Sequence, residues 1–165
     1  MGYKSLSTKV ASVIKKRDVN ELKKLIGTDP SIIKDMTPFG SWLHFAISFG
    51  GDLEVVKYFV EMGIDINQKD PISGSNALAL AASKGHLEVV EYLLQRGVEM
   101  DVSEPERNPL FSAIYGGYKD IVRILIEHGI DTQIDYTGER MTRMDAVAFA
   151  LERGQTEIAE LISSL

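Results

Sequence analysis

An amphipathic segment that recurs along the chain constrains the fold more than any other feature of the sequence. SKGHLEVVEYLLQRG, at residues 83–97, has close copies in SFGGDLEVVKYFVEMG at residues 48–63 and YGGYKDIVRILIEHG at residues 115–129. The apolar residues in each copy fall three and four positions apart, which is the period of one face of an α-helix. Copies at this spacing indicate a repeat architecture, in which each unit buries its apolar face against its neighbours.

Weaker copies open and close the chain, which gives five in all. KKRDVNELKKLI begins at residue 15 and ERGQTEIAELISSL begins at residue 152. Four of the five long helices follow a shorter segment with alanine in its fourth place, namely LHFAIS, LALAAS, LFSAIY and VAFALE. A small residue there allows a neighbouring helix to approach closely. Each unit is therefore predicted to run from a short helix through a turn to a longer helix and then a polar loop.

This layout resembles the ankyrin-repeat family. The family order, Gly-x-Thr-Pro-Leu-His-x-Ala-Ala, Gly-His-Leu-Glu-Val-Val and Leu-Leu-x-x-Gly-Ala-Asp-Val-Asn, is matched best at residues 74–101 by GSNALALAAS, KGHLEVVEYLLQRG and VEMD. The second unit adds Leu43-His44 and GIDIN at residues 63–67. The resemblance covers roughly residues 7–165. Thr-Pro is replaced in three units by Ser41-Trp42, Asn76-Ala77 and Asn108-Pro109.

The resemblance implies an all-α fold, an ankyrin-repeat solenoid of about five helix-turn-helix units with hairpin-like loops. We expect residues 1–165 to form a single ankyrin-repeat domain. Its predicted parts are an N-terminal cap repeat at 1–36, three repeats at 37–70, 71–102 and 103–135, and a C-terminal cap repeat at 136–165.

The distribution of charge favours another protein with a basic surface as the partner. The net charge of −6 divides into +4 for residues 1–35 and −10 for residues 36–165. An acidic body repels the phosphates of nucleic acid and attracts basic proteins, so we expect no nucleic-acid ligand. The chain lacks an apolar run of about 20 residues, and no membrane contact is expected. The absence of cysteine and of a secretory signal favours a cytoplasmic protein, which we expect to be monomeric when free.

Catalytic and cofactor chemistry find little support in the residues. His44, His86 and His128 occupy different places in their repeats, so we do not expect them to meet in one metal or proton-transfer site. The Gly50-Gly51 and Gly116-Gly117 pairs lack the lysine of a phosphate-binding loop. We therefore predict no catalytic residues, no metal and no cofactor. A hydrolase on a helical-repeat scaffold is the remote alternative.

A protein-binding surface is predicted by position from the resemblance, because partners of the family usually bind the loop tips and the exposed side of the short helices. The residues assigned to it are Phe39, Trp42, Phe49, Ile72, Lys84, Glu104, Glu106, Arg107, Tyr115, Tyr136 and Arg140. Aromatic and arginine side chains commonly dominate interface energetics, so Phe49, Arg107, Tyr115 and Tyr136 are the predicted anchors. For Trp42 two alternatives stay open, packing between two units or exposure at the edge of the groove.

The resemblance implies a non-enzymatic protein-protein interaction module that binds a partner protein and inhibits or masks it. A bacterial immunity protein that neutralises a toxin is the favoured specific interpretation. An inhibitor of a kinase or a transcription factor, as in eukaryotes, and a self-associating scaffold are the alternatives.

Overall fold

The computed structural model describes residues 3–138 and 141–164. In that part, ten α-helices follow one another in five pairs, one pair for each predicted copy of the repeat. The same residues include no helix with the length and hydropathy needed to cross a membrane. The chain forms two compact units, Met1–Ala77 (unit 1) and Leu78–Leu165 (unit 2), and each is described separately.

Unit 1 contains two helix pairs, a 3₁₀ turn and a small hairpin. Its elements are α1 (Tyr3–Lys16), α2 (Val19–Thr28), the 3₁₀ turn Pro30–Lys34, β1 (Met36–Thr37), β2 (Gly40–Ser41), α3 (Trp42–Ser48) and α4 (Leu53–Glu61). Strands β1 and β2 are antiparallel, with Met36 opposite Ser41. Helix α1 packs on α2 and α3, and α2 packs on α4. The core between them is made of fully buried residues such as Leu22, Ile47 and Phe59.

Unit 2 holds the other three pairs and a second hairpin. Its elements are α5 (Ala77–Lys84, which starts at the last residue of unit 1), α6 (Leu87–Gln95), α7 (Pro109–Gly116), α8 (Lys119–Glu127), β3 (Tyr136–Gly138), β4 (Met141–Met144), α9 (Ala146–Glu152) and α10 (Thr156–Ser164). Helix α7 packs on α8 and α9, and α8 packs on α6 and α10. The apolar stripes of the repeats, including Leu93, Ile121 and Leu125, are fully buried.

Local sequence signals account for where several helices begin. The carboxylates of Asp18, Asp52 and Asp145 accept hydrogen bonds from backbone N–H groups three residues further on, at the starts of α2, α4 and α9. An N-terminal cap of this kind contributes about 1 kcal/mol. The alanines in the fourth place of the short segments, at 46, 81, 113 and 150, are buried. Small buried side chains at these places allow the close helix packing that the repeat pattern predicts.

Candidate protein-interaction surfaces

Three aromatic side chains and a methionine form the first surface, in unit 1, which we call surface 1 (Met36, Phe39, Phe45 and Phe49). The ring centroid of Phe39 lies 5.9 Å from that of Phe45 and 5.3 Å from that of Phe49, both edge-on, and the rings of Phe45 and Phe49 are 4.4 Å apart. Phe39 is 45% exposed and Met36 is 50% exposed. Surface 1 therefore combines two predicted binding residues, Phe39 and Phe49, with two others.

The turn between β1 and β2 holds Phe39 in this position. The hydroxyl of Thr37 donates a hydrogen bond to the carbonyl of Gly40 at 2.8 Å and accepts one from the N–H of Phe39 at 3.1 Å. These two bonds close the turn on itself. The exposed Phe39 ring is therefore carried by a short ordered hairpin.

Trp42, the first residue of α3, is 3% exposed. Its indole N–H donates a hydrogen bond to the carbonyl of Ile32 at 2.9 Å, and its ring meets Phe45 edge-on at 5.5 Å. The indole thus ties the 3₁₀ turn to α3 inside unit 1. Of the two alternatives, the structure favours packing over exposure.

Ile72, the most exposed large apolar residue among those described, is 81% exposed in a turn built on Asp70. The Asp70 carboxylate accepts hydrogen bonds from the N–H groups of Ile72 and Ser73, both at 2.8 Å, and of Ser75 at 3.0 Å. Burial acts to raise the pKa of Asp70, but a hydrogen bond from the Ser73 hydroxyl and these three from backbone N–H groups together hold the pKa below its ordinary value. The charged carboxylate therefore fixes the turn that presents Ile72.

Both ring nitrogens of the buried histidine of unit 1 lie within hydrogen-bond distance of other groups of the protein. His44 is 1% exposed, its Nδ1 lies 2.9 Å from the Ser41 hydroxyl, and its Nε2 lies 3.2 Å from the carbonyl of Ser75. Burial lowers the pKa of His44, while the bond to Ser75 and the charge of Asp70 oppose that shift. The ring therefore links Ser41, just before α3, to the loop at Ser75. In residues 3–138 and 141–164 no three His, Cys, Asp or Glu side chains are grouped to hold a metal ion.

A second aromatic cluster forms surface 2, in unit 2 (Glu106, Phe111, Tyr115, Phe149 and Arg153). The rings of Phe111 and Phe149 stack with centroids 4.8 Å apart and an angle of 18° between their planes. The Arg153 guanidinium lies 4.1 Å from the ring centroid of Tyr115 and 5.5 Å from that of Phe149. Tyr115 is nevertheless 66% exposed. Glu106 and the three aromatic rings line a pocket of about 390 Å³.

Tyr136 holds the loop that carries the acidic residues next to surface 2. Its hydroxyl donates a hydrogen bond to the carbonyl of Val102 at 2.7 Å and accepts one from Asn108 Nδ2 at 3.0 Å. The Asn108 Oδ1 accepts a hydrogen bond from the N–H of Leu110 at 2.8 Å, at the start of α7. Burial raises the pKa of Tyr136. Tyr136, a predicted anchor, thus has its polar group engaged inside the protein and acts as a positioning residue.

The remaining predicted residues occupy different places. Glu104 and Glu106 are exposed on the loop that Tyr136 holds, and Lys84 is exposed at the end of α5. Arg107 is half-buried, with Nη1 3.4 Å from the Ser103 hydroxyl and a buried Nε that has no hydrogen-bond partner in the described part of the chain. Arg140 lies outside the described residues.

Comparison with known families agrees with the repeated helix pairs. The family model described as ankyrin repeats (3 copies) matches residues 11–104 and, in a second match, residues 43–136. The two matches together span well over half of the chain. The chain belongs to the ankyrin-repeat family. The predicted fold class, an all-α ankyrin-repeat solenoid, is thereby confirmed. A search of curated proteins found no match.

Membership in the ankyrin-repeat family gives the chain a general role, because ankyrin repeats are typically non-enzymatic modules that bind other proteins. The predicted site omitted Phe149 and Lys15, which the structure places at surface 2 and surface 1. Phe149 stands in the third place of VAFALE, where Phe45 stands in LHFAIS, and this equivalence was the signal available. For Lys15 no sequence feature distinguished it from the other basic residues of the N-terminal cap repeat.

Proposed function

We propose that this ankyrin-repeat protein binds a basic partner protein through surface 2 and masks it. Unit 2 has eight Lys and Arg against fifteen Asp and Glu, a net charge of −7. Exposed Glu104 and Glu106 belong to the same loop beside the aromatic pocket. An acidic surface accelerates encounter with a basic partner and disfavours acidic ones.

The exposed Tyr115 beside the Phe111–Phe149 stack is the observation that supports this proposal most. Interface energy concentrates in aromatic and arginine side chains around a pocket, where single anchors are worth about 2 kcal/mol or more. Surface 2 supplies Tyr115 and Arg153 as anchors and a pocket of about 390 Å³ that would take an apolar side chain of the partner. A partner covering roughly 800 Å² on this side would bury the whole surface.

The specific form of the proposal is a bacterial immunity protein that neutralises a toxin. A binder that covers the working surface of a basic toxin inhibits it by occupancy alone. The acidic charge of unit 2 would favour rapid capture of such a target. A cytoplasmic location and a monomeric free state stay predictions from the sequence.

Binding kinetics of variants test surface 2 directly. The partner captured from source cells by the wild-type chain is measured against Tyr115→Ala, a Glu104→Lys/Glu106→Lys variant, and a control with Glu88→Lys/Glu91→Lys on α6. We expect Tyr115→Ala to raise the dissociation rate about 30-fold, corresponding to about 2 kcal/mol. The loop reversal should slow association about tenfold at low salt and flatten its salt dependence, with a smaller effect in the control. Equal effects of the loop and control reversals would place the contact elsewhere.

A separate assay addresses the immunity role. Cells that express the toxin encoded beside this gene should grow when the wild-type chain is co-expressed and should die with Tyr115→Ala. Capture of a cell-cycle kinase or a transcription factor in place of a toxin would contradict the immunity role, while the kinetic test of surface 2 would still apply to that partner.

A further inference from the structure

We propose that Ser103 is a phosphorylation site for a serine kinase that selects acidic substrates, and that the Arg107 guanidinium holds the phosphate. Ser103 is exposed in the loop of residues 96–108, which joins α6 to α7 in unit 2. The same loop borders surface 2. The effect of the phosphate on partner binding therefore rests on the proposed function, whereas the modification itself does not.

Carboxylates follow Ser103 at two nearby positions. Glu104 is the next residue and Glu106 is the third residue on, and both are exposed. Among the serines and threonines of the sequence, only Ser103 has carboxylates at both of these places. A site with this charge complements a kinase whose substrate groove is basic and is repelled by one whose groove is acidic. The residues around Ser103 thus favour an acid-selecting kinase.

Hydrogen bonds on both sides of Ser103 hold the loop. The Tyr136 hydroxyl donates to the carbonyl of Val102, directly before Ser103, at 2.7 Å. The N–H of Arg107 donates to the carbonyl of Glu104, directly after Ser103, at 3.0 Å. The distance between the Ser103 and Arg107 side chains is therefore set by the hydrogen bonds of the loop.

In the unmodified chain the Ser103 hydroxyl lies between a carboxylate and a guanidinium. The hydroxyl donates a hydrogen bond to Asp101 Oδ1 at 2.6 Å, and Arg107 Nη1 lies 3.4 Å from the same hydroxyl oxygen. Arg107 forms no ion pair in the described part of the chain, and its buried Nε has no hydrogen-bond partner there. The positive charge beside Ser103 is therefore not neutralised by a carboxylate.

Phosphorylation would exchange the first of these partners for the second. The Ser103 oxygen forms a bond to the γ-phosphorus of ATP, the bond from that phosphorus to the β–γ bridging oxygen breaks, ADP leaves, and the hydroxyl proton passes to the base of the kinase. The hydrogen bond to Asp101 is then lost, and the two negative groups repel each other. The new phosphate is attached to an oxygen 3.4 Å from Arg107 Nη1, and guanidinium groups form charge-assisted hydrogen bonds with phosphate.

The phosphate would make the region of surface 2 more acidic. Phosphoserine carries a charge of about −1.5 to −2 at pH 7, which adds to the net charge of −7 of unit 2. Glu106 of the same loop lines the pocket of surface 2. Because acidic charge speeds the encounter with a basic partner, phosphorylation should raise the association rate about two- to fivefold at low salt.

The first experiment tests the modification without any partner. The purified chain is incubated with Mg²⁺-ATP and either an acid-selecting or a base-selecting serine kinase, and the modified residue is located by peptide mass spectrometry. Phosphorylation of Ser103 should be at least about tenfold faster with the acid-selecting kinase. Equal rates with the two kinases would overturn the proposal. Modification mainly at Thr132 or Thr142, which have a carboxylate only at the third position, would also overturn it.

Matched charge reversals test why the kinase selects this site. Glu104→Lys/Glu106→Lys should slow phosphorylation of Ser103 by the acid-selecting kinase at least about tenfold. Glu88→Lys/Glu91→Lys on α6, with the same change of net charge, should alter the rate about twofold or less. Equal effects of the two reversals would show that the loop carboxylates do not direct the kinase.

The titration of the phosphate, followed by ³¹P NMR, tests the role of Arg107. A neighbouring guanidinium favours the dianion, so the titration midpoint in the wild-type sequence should lie at least about 0.5 pH units below that in Arg107→Gln. Arg96→Gln, at the end of α6, should leave the midpoint unchanged. The Nε–H signal of Arg107 should also shift on phosphorylation of the wild-type sequence, which needs no substitution. Equal midpoints in the wild type and Arg107→Gln, or an unshifted Nε–H signal, would overturn the assignment of Arg107.

Association kinetics with the captured partner then test the link to surface 2. An association rate that phosphorylation of Ser103 leaves unchanged would overturn the regulatory part of the proposal. Failure of the proposed function has a different signature, because Tyr115→Ala would then dissociate from the partner as slowly as the wild type whether or not Ser103 is phosphorylated.

Discussion

The hydrogen-bonded pair of Asn108 and Tyr136 provides the sharpest test of how the acidic loop is held. Tyr136→Phe removes a hydroxyl that donates to the Val102 carbonyl at 2.7 Å and accepts from Asn108 Nδ2 at 3.0 Å. The ring and its edge-on contact with Phe111 remain. Because an intramolecular hydrogen bond contributes about 0.5–1.5 kcal/mol, we expect the free energy of unfolding to fall by about 1–3 kcal/mol.

Asn108→Ala supplies the second arm of a double-mutant cycle. Asn108 is 0% exposed, and its substitution also removes the side-chain acceptor for the Leu110 N–H. Loss of that cap costs about 1 kcal/mol and loss of the bond to Tyr136 about another. The double variant should lose less than the sum of the two single variants, by about 0.5–1.5 kcal/mol, because the shared bond is counted once.

Urea denaturation followed by circular dichroism at pH 7 measures these differences. Tyr118→Phe is the control, since the Tyr118 hydroxyl forms no hydrogen bond in the described residues, and we expect a change below about 0.5 kcal/mol. If Tyr136→Phe costs no more than this control, or if the single effects simply add, the account of how Tyr136 positions the loop is wrong.

Three further predictions concern single positions. The free energy of unfolding should fall as the pH decreases from 7.5 to 5.5. Burial lowers the pKa of His44 from its ordinary 6.5, so the unfolded chain takes up the proton at a higher pH than the folded chain does. His44→Gln should reduce this pH dependence, as measured by urea titrations at the two pH values. Gly85→Ala should lower the free energy of unfolding by at least about 1 kcal/mol more than Gly63→Ala does. Both glycines have positive φ, but only at Gly85 would a Cβ lie 2.5 Å from the Tyr118 ring. Equal losses of stability in thermal unfolding would contradict this. Trp42→Phe should cost about 1–3 kcal/mol, because the Ile32 carbonyl loses the indole donor and keeps only the Asp35 N–H, and because part of a buried ring is removed. A change below about 0.5 kcal/mol would refute the role given to the indole hydrogen bond.

The helices could be predicted from the sequence because each repeats a local pattern. Apolar residues at helical spacing, such as Val90 and Leu93, recur at matching places and are buried in the structure. The turn glycines mark the helix ends, and Gly97 has a φ of +76°. Periodicity is a property of residues that are close in the sequence, so a single sequence is enough to reveal it.

The contacts of the two surfaces could be predicted only in part, because they join residues distant in the chain. Phe111 and Phe149 stack although 38 positions separate them in the sequence. Their places in the repeat predict that they lie on the same side of their helices, but do not predict the side-chain rotamers that bring the rings together. The buried indole of Trp42 donates a hydrogen bond to the backbone carbonyl of Ile32. Every residue has a backbone carbonyl, so no sequence pattern could identify this one as the acceptor. Tyr136 was predicted as an anchor from its loop position, which does not reveal that its hydroxyl holds the neighbouring loop.

The measurement that tests the central claim most directly is an NMR titration of the isotope-labelled chain with its captured partner. The account predicts that the largest shifts, and the slowest amide exchange on binding, occur at Glu106, Tyr115, Phe149 and Arg153. Shifts confined to the outer faces of α6 and α8, with surface 2 unchanged, would contradict it.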